Sequence, residues 1–172
     1  GYARTSISEI CKRAGVSQGA LYRQFDTRLA LIAHATDIIG RRHLNTFATA
    51  MADGEFADAP GATMVRLVRE LSRSSVHAAW HEVMVAARTD QGLHASVASV
   101  LEAFEAAILD VVRYALPVRE GRELQMAAVV LSIMHMFDSE AVTIVVKPNP
   151  ELEAARVDWA VGLLERELRD AE

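Results

Sequence analysis

A chain of 172 residues that is 51% apolar and carries a net charge of −5 is long enough for one domain, or for a small module joined to a larger one, with a sizeable core. Its single cysteine, Cys11, excludes an internal disulfide framework and fits a reducing compartment. No basic stretch followed by an apolar one opens the sequence, and the longest apolar run, MAAVVLSIMHMF, is short for a membrane span and is interrupted by Ser132 and His135, so a cytoplasmic location is expected.

The charge is unevenly placed. Residues 1–43 hold seven Arg and Lys against three acidic residues, a balance of +4, which leaves −9 for the remainder. A basic head on an acidic body puts any affinity for a polyanion in the head.

Within that head, Ser6 and Glu9 of TSISEICKRAG stand at capping-box spacing, and Ile7, Ile10, Cys11 and Ala14 recur as the apolar stripe of a short helix. Cys11 on that stripe reads as packing, with redox sensing the less favoured role. Gly15 follows, free to adopt the left-handed conformation that stops a helix. Ser17 is placed to cap a second helix, with Val16 and Leu21 forming a hydrophobic staple across its start. Leu21 and Phe25 are expected to face inward, and Gln18, Gly19, Tyr22 and Arg23 outward. Asp26 or Thr27 then caps a third helix, RLALIAHATDIIGRR. Two short helices joined by about three residues that include glycine make a helix-turn-helix, whose second helix enters the major groove.

The stretch TSISEICKRAGVSQGALYRQF resembles the DNA-binding signature of TetR-family transcriptional regulators. The leading GY, the Thr-Ser-Ile start, AGVS, LY and the closing Phe all match, and Arg28 stands where the family usually has Lys. The resemblance covers residues 1 to about 32; beyond them only an all-helical body of suitable length matches. Cys11 replaces a usual Ala, Gln24 a common His and Leu29 a frequent acidic residue. The family has a helix before GY, so the head is expected to be incomplete, with the first helix absent from this chain. Ile7, Ile10, Leu21 and Phe25 should then pack together yet stay partly exposed.

The resemblance implies a role for each exposed residue of the head. Gln18 is the best base reader, since a carboxamide makes a bidentate pair with adenine. Gly19 costs roughly 1 kcal/mol relative to Ala inside a helix, which points to a close approach of backbone to DNA. Ala20 suits contact with a thymine methyl. Tyr22, Gln24 and Arg28 suit phosphate contacts, which position without specifying. Thr5, Ser6 and Ser17 suit them too, alongside capping, and Arg23 reads either as a DNA contact or as a solvated side chain.

The body reads as helical throughout. The third helix continues through HLNTFATAMA toward Gly54; PGATMVRLVRELSRSS follows, with Pro60 near its start, then HAAWHEVMVAAR. In GLHASVASVLEAFEAAILDVVRYALP, a stripe of Leu93, Val97, Leu101, Phe104, Ile108 and Val112 ends at Pro117. The last two helices occupy about 122–146 and 151–170, separated by KPNP. The expected fold is all-α: a helix-turn-helix DNA-binding domain over residues 1–43, and a body over 44–172 that the resemblance makes a ligand-binding and dimerisation domain. The final helix carries two apolar stripes, Leu152, Ala155, Trp159 and Leu163 on one side and Val157, Val161, Leu164 and Leu168 on another. One stripe suffices to dock on the chain's own domain, so the second implies a partner. A homodimer through a four-helix bundle of the last two helices accounts for it, as in the family; burial within one large core is the alternative.

Ligand sites in bundles are mainly apolar with a few polar groups for orientation. The expected effector is a small, mainly hydrophobic molecule in a cavity lined by Leu71, Trp80, Met84, Leu101, Phe104, Ile108, Met134 and Phe137, with Glu105, His135 or Asp138 as polar contacts. The competing reading makes these ordinary core residues. His77 and His81 are four apart with Glu82 adjacent, but the His-Glu-x-x-His pattern and a third ligand are missing. No phosphate loop, nucleophile elbow or triad is present, so no catalytic residue, metal or cofactor is expected. The function implied is a ligand-responsive regulator on a palindromic double-stranded DNA operator, most simply a repressor whose ligand changes the spacing of the reading helices. The alternatives are an activator of the same fold, a helical-bundle metal-binding enzyme, or a helical module whose basic head binds protein.

Overall fold

The computed structural model describes Tyr2, residues 5–52, 54–116, Val118 and 120–169. Among them the chain forms nine helices: α1 (Ile7–Ala14), α2 (Gln18–Tyr22), α3 (Arg28–Met51), α4 (Gly54–Asp58), α5 (Pro60–Ser72), α6 (Ser75–Ala87), α7 (Gln91–Ala115), α8 (Glu123–Thr143) and α9 (Pro150–Arg169). The third helix stops at Met51 rather than running to Gly54, which instead opens the short α4. The stop expected at Pro117 and the last helical position expected at Asp170 lie outside the described residues.

Two compact units divide the chain. The first comprises Gly1–Arg41 with Ser75–Phe104, and the second Arg42–Ser74 with Glu105–Glu172. The head helices thus share their unit with α6 and the first part of α7. The core there is built on Val83, Ala87, Leu93 and Val97, against which Tyr2, Leu29, Ile32, Ala33, Met84 and Ala86 pack. The Trp80 and Phe104 rings meet at 5.0 Å between centroids. A side chain at Gly40 would come within 3.1 Å of Trp80 and 3.3 Å of Phe104, so the α3 backbone passes close to both rings only because that residue has none.

In the second unit α5 packs on α4, α8 and α9, and α8 on α9. The buried faces supply Met64, Val65 and Val68 from α5, Ile108 and Val112 from α7, Val130, Ile133 and Phe137 from α8, and Ala160, Leu164 and Leu168 from α9. Pro150 occupies the first helical position of α9, and Asn149 accepts from the Leu152 amide at 3.1 Å while its own amide donates to Glu153 Oε1 at 3.0 Å. Each frees the other from an unsatisfied helix end.

A charged cluster sits between these helices. The Glu140 carboxylate, with a side chain 1% exposed, accepts from Arg73 at 2.7 Å and Arg156 at 3.1 Å, and Arg69 Nε lies 3.6 Å away. Glu153 takes the other side of Arg73 at 2.8 Å and Arg69 at 3.5 Å. Burying a carboxylate is tolerable only when cations and donors replace its water, and Arg69 of α5, Arg73 just after it and Arg156 of α9 do so. By length and composition α8 is apolar enough to cross a membrane, more so than its interrupted central run implies. It packs on α5 and α9 and carries the buried, paired Glu140.

Removing Glu140 takes away the carboxylate that Arg156 pairs with and leaves Glu153 alone between Arg69 and Arg73. Glu140→Ala should lower stability by about 3 kcal/mol, the low end for breaking a buried pair because the arginines are partly exposed, and Glu140→Gln by less. The hydrogen bond from Arg73, then that from the Asn149 amide, holds the Glu153 carboxyl below its ordinary range. Its folded form therefore binds a proton less readily than the unfolded one, so the stabilisation is present at neutral pH and is lost as pH falls through the carboxylate range. Denaturant titrations from neutral pH downward should show this acid loss in the wild type and a weaker one in Glu153→Gln.

Candidate nucleic-acid interface

The turn between α1 and α2 is built almost entirely from local bonds. Ser6 caps α1 by accepting from the Glu9 amide at 3.2 Å. The return arm of the capping box is not made: the Glu9 carboxylate instead pairs with Arg13 at 2.8 Å, one helical turn on. Gly15 ends α1 at φ 68°, and the Val16 amide closes back on the Cys11 carbonyl at 3.1 Å. That left-handed residue and six-to-one bond are a Schellman closure, open to glycine without strain. Ser17 then caps α2 through the Ala20 amide at 3.1 Å, and Thr27, rather than Asp26, caps α3 through Ala30 at 3.0 Å.

Below this turn Cys11 and Leu21 are buried, while Ile7, Ile10 and Phe25 are half-buried. Val16, expected to staple onto Leu21, stays 43% exposed, so α2 is held mainly by its cap and by Leu21. On the outer side Gln18, Gly19, Arg23 and Gln24 are exposed, Tyr22 is 47% exposed and Ala20 half-buried. Ser6 and Ser17 are exposed as well as capping, and Thr5 is half-buried. Lys12 and Arg13 are exposed at the end of α1. The resulting face has the Gln18 carboxamide at the start of a short helix, the Tyr22 phenol one turn later, the Gln24 carboxamide just beyond, and cations around them.

Two residues of this set behave in particular ways. A methyl group added at Gly19 would meet nothing nearer than the Ser17 hydroxyl at 4.0 Å, and its backbone is not left-handed. Nothing inside the chain requires glycine there. Arg28, expected at a phosphate, is half-buried and directs its guanidinium into the chain, to Tyr2 and the Thr5 carbonyl.

The residues expected around an effector fall in both units. Trp80, Met84 and Phe104 lie in the packed interior of the first, with Leu101 36% exposed on α7. In the second, Ile108 and Phe137 are buried, Leu71 and Met134 half-buried, and Asp138 accepts from Ser72 at 2.6 Å. Glu105 and His135 are exposed, contrary to their expected place as polar contacts of an interior cavity. The reason for His135 is helical phase: Val130, Ile133, Phe137 and Glu140 recur at three- and four-residue steps on the buried side of α8, and residue 135 falls off that row. A cleft of about 370 Å³ in the first unit is lined by other residues, among them Thr5, Ile32, Thr36, Ile39, Ala79 and Glu82.

A capped two-helix turn with an exposed second helix, on an all-helical chain, defines a helix-turn-helix DNA-binding transcriptional regulator. Residues 1–35 match the family of bacterial regulatory proteins called tetR. Over 166 residues the chain is 39% identical to an HTH-type transcriptional regulator of Mycobacterium bovis, covering 95% of this chain and 84% of that protein, and to counterparts in two strains of Mycobacterium tuberculosis to the same extent. No solved structure matches it. The chain belongs to the TetR family.

Gln18→Ala should cost about 1–3 kcal/mol on the preferred operator and relax discrimination at one base pair. Gly19→Ala is expected to raise the melting temperature, since it removes a helix penalty of about 1 kcal/mol and meets open space, yet to weaken operator binding. Calorimetric melting and fluorescence anisotropy on the same preparations measure both.

Proposed function

We propose that this protein is a ligand-responsive, sequence-specific regulator that works as a homodimer on a palindromic operator, represses from it, and is released by a small, mainly hydrophobic effector. It acts in the cytoplasm and performs no catalysis. The observation that supports the DNA half is the exposure of α2 and of the residues just after it; in this proposal Gln18 reads bases, Gly19 and Ala20 lie against the groove, and Tyr22, Arg23 and Gln24 approach phosphates.

The dimer reading is supported by α9. Its Ala160, Leu164 and Leu168 are buried in its own unit, while Leu152 and Trp159 remain 46% and 53% exposed with Ala155 between them. Exposed apolar rows of this kind mark association surfaces. A second copy laid along α8 and α9 covers them and spaces two reading helices one or more turns of DNA apart. For the effector, two apolar settings are available, each within one unit: Trp80, Met84 and Phe104 in the first, and Leu71, Ile108, Met134 and Phe137 in the second. Leu101 and Asp138 are the further residues of that proposal.

Anisotropy with duplexes from the chain's own upstream region, repeated across salt, tests the DNA reading: saturable, sequence-dependent binding with a steep salt slope is expected, and equal affinity for scrambled duplexes overturns it. For the dimer, Trp159→Arg should give monomers by light scattering and lower operator affinity by about 100-fold or more through loss of the second half-site. An unchanged dimer moves the interface elsewhere. Phe104→Ala should blunt the response to any compound found by thermal-shift screening, with operator affinity kept within a few-fold.

A further inference from the structure

Arg28 is the first residue of α3, six positions after Tyr22, the end of α2. Its Nε donates to the Thr5 carbonyl at 3.0 Å, Nη1 to the Tyr2 hydroxyl at 3.1 Å and Nη2 to the Tyr2 carbonyl at 3.1 Å. Its guanidinium carbon also lies 4.5 Å from the centre of the Tyr2 ring, a cation–π distance. All three nitrogens are therefore turned to the chain, and one face of the cation is covered.

Tyr2 is held from the other side as well. Its amide donates to Glu82 Oε2 of α6 at 2.7 Å, and its hydroxyl reaches Asp90 Oδ2 at 3.4 Å. The other carboxylate oxygen of Asp90 caps α7 through the Leu93 amide at 2.9 Å. The Thr5 amide donates to the Tyr2 carbonyl at 3.1 Å, which ties Tyr2 to the residue before Ser6, the cap of α1. From Glu82 hydrogen bonds lead to Tyr2 and from Tyr2 to Thr5, which adjoins Ser6, the cap of α1; α1, Gly15 and α2 follow.

We propose that Arg28 and Glu82 are positioning residues for DNA binding, which clamp Tyr2 between them and so fix the entry to α1, and with it the turn and the reading helix, against α6. Arg28 in this assignment is a brace and not a phosphate anchor. Glu82 is two residues from Trp80 on the same helix, so a displacement of α6 changes the clamp and through it the presentation of α2. This assignment rests on the DNA-binding reading of α2.

The two roles of Arg28 differ in salt dependence. A phosphate anchor contributes about 0.9 to the slope of log K against log salt on B-DNA, and its removal flattens the slope by that amount. A brace contributes affinity and no slope. With the full chain and its upstream duplex, Arg28→Gln is expected to weaken binding by about fivefold or more with the salt slope unchanged, whereas Arg23→Gln serves as the surface comparison. Glu82→Ala, an exposed position whose replacement leaves the core intact, should weaken binding in the same way and speed amide hydrogen exchange in α1 and α2. The double variant should lose less than the two single losses combined, because both act through Tyr2. A slope flattened by one phosphate in Arg28→Gln, or wild-type affinity and exchange in Glu82→Ala, overturns the clamp. Failure of the wild type to prefer its own duplex instead overturns the DNA-binding reading on which the clamp depends.

Discussion

The reading surface depends on a left-handed residue at Gly15. A five-residue helix such as α2 has no independent stability, because nucleating a helix orders several residues for each early hydrogen bond. It exists here because the chain is turned sharply by a glycine at φ 68°, capped at once by Ser17, and anchored by the one buried side chain Leu21. With those three restraints in place, the remaining side chains of α2 are left facing solvent.

A second constraint governs the helices of the body. Glu140 is a buried charge in the middle of an otherwise apolar face, and it is compatible with folding only while Arg69, Arg73 and Arg156 converge on it. That requirement specifies how α5, α8 and α9 are registered more sharply than aliphatic packing does, since an aliphatic face slides at small cost while an unpaired buried charge does not. Glu153 extends the same cluster and also ties down the start of α9. Chain geometry and electrostatics therefore meet on the helix whose outer stripe stays open.

The head and the body use their charges differently. In the head the exposed cations Lys12, Arg13 and Arg23 are left to solvent or to i,i+4 pairing, which keeps them available to an anion. Arg28 is the exception, half-buried and turned onto an aromatic ring. The two kinds of arginine are indistinguishable by residue type and separable only by what surrounds them.

The caps at Ser6 and Ser17, the stop at Gly15 and the all-helical character were legible in the sequence, because each is decided by residues close together along the chain. The exposed face of α2 was legible for the same reason: in a short capped helix, the apolar Leu21 determines which side is inside. Other features are set by partners far along the chain. Arg28 meets Tyr2 across 26 positions and Tyr2 meets Glu82 across 80, so neither bond leaves a local trace. On α8, where apolar residues occur on more than one side, periodicity does not say which face is buried; contact with α5 and α9 places Glu140 inside and His135 outside. Local hydrogen bonding and helical period were determined by the sequence alone, whereas the choice of buried face and the pairing of distant charges were decided by the tertiary structure, because they depend on which surfaces compete to exclude water.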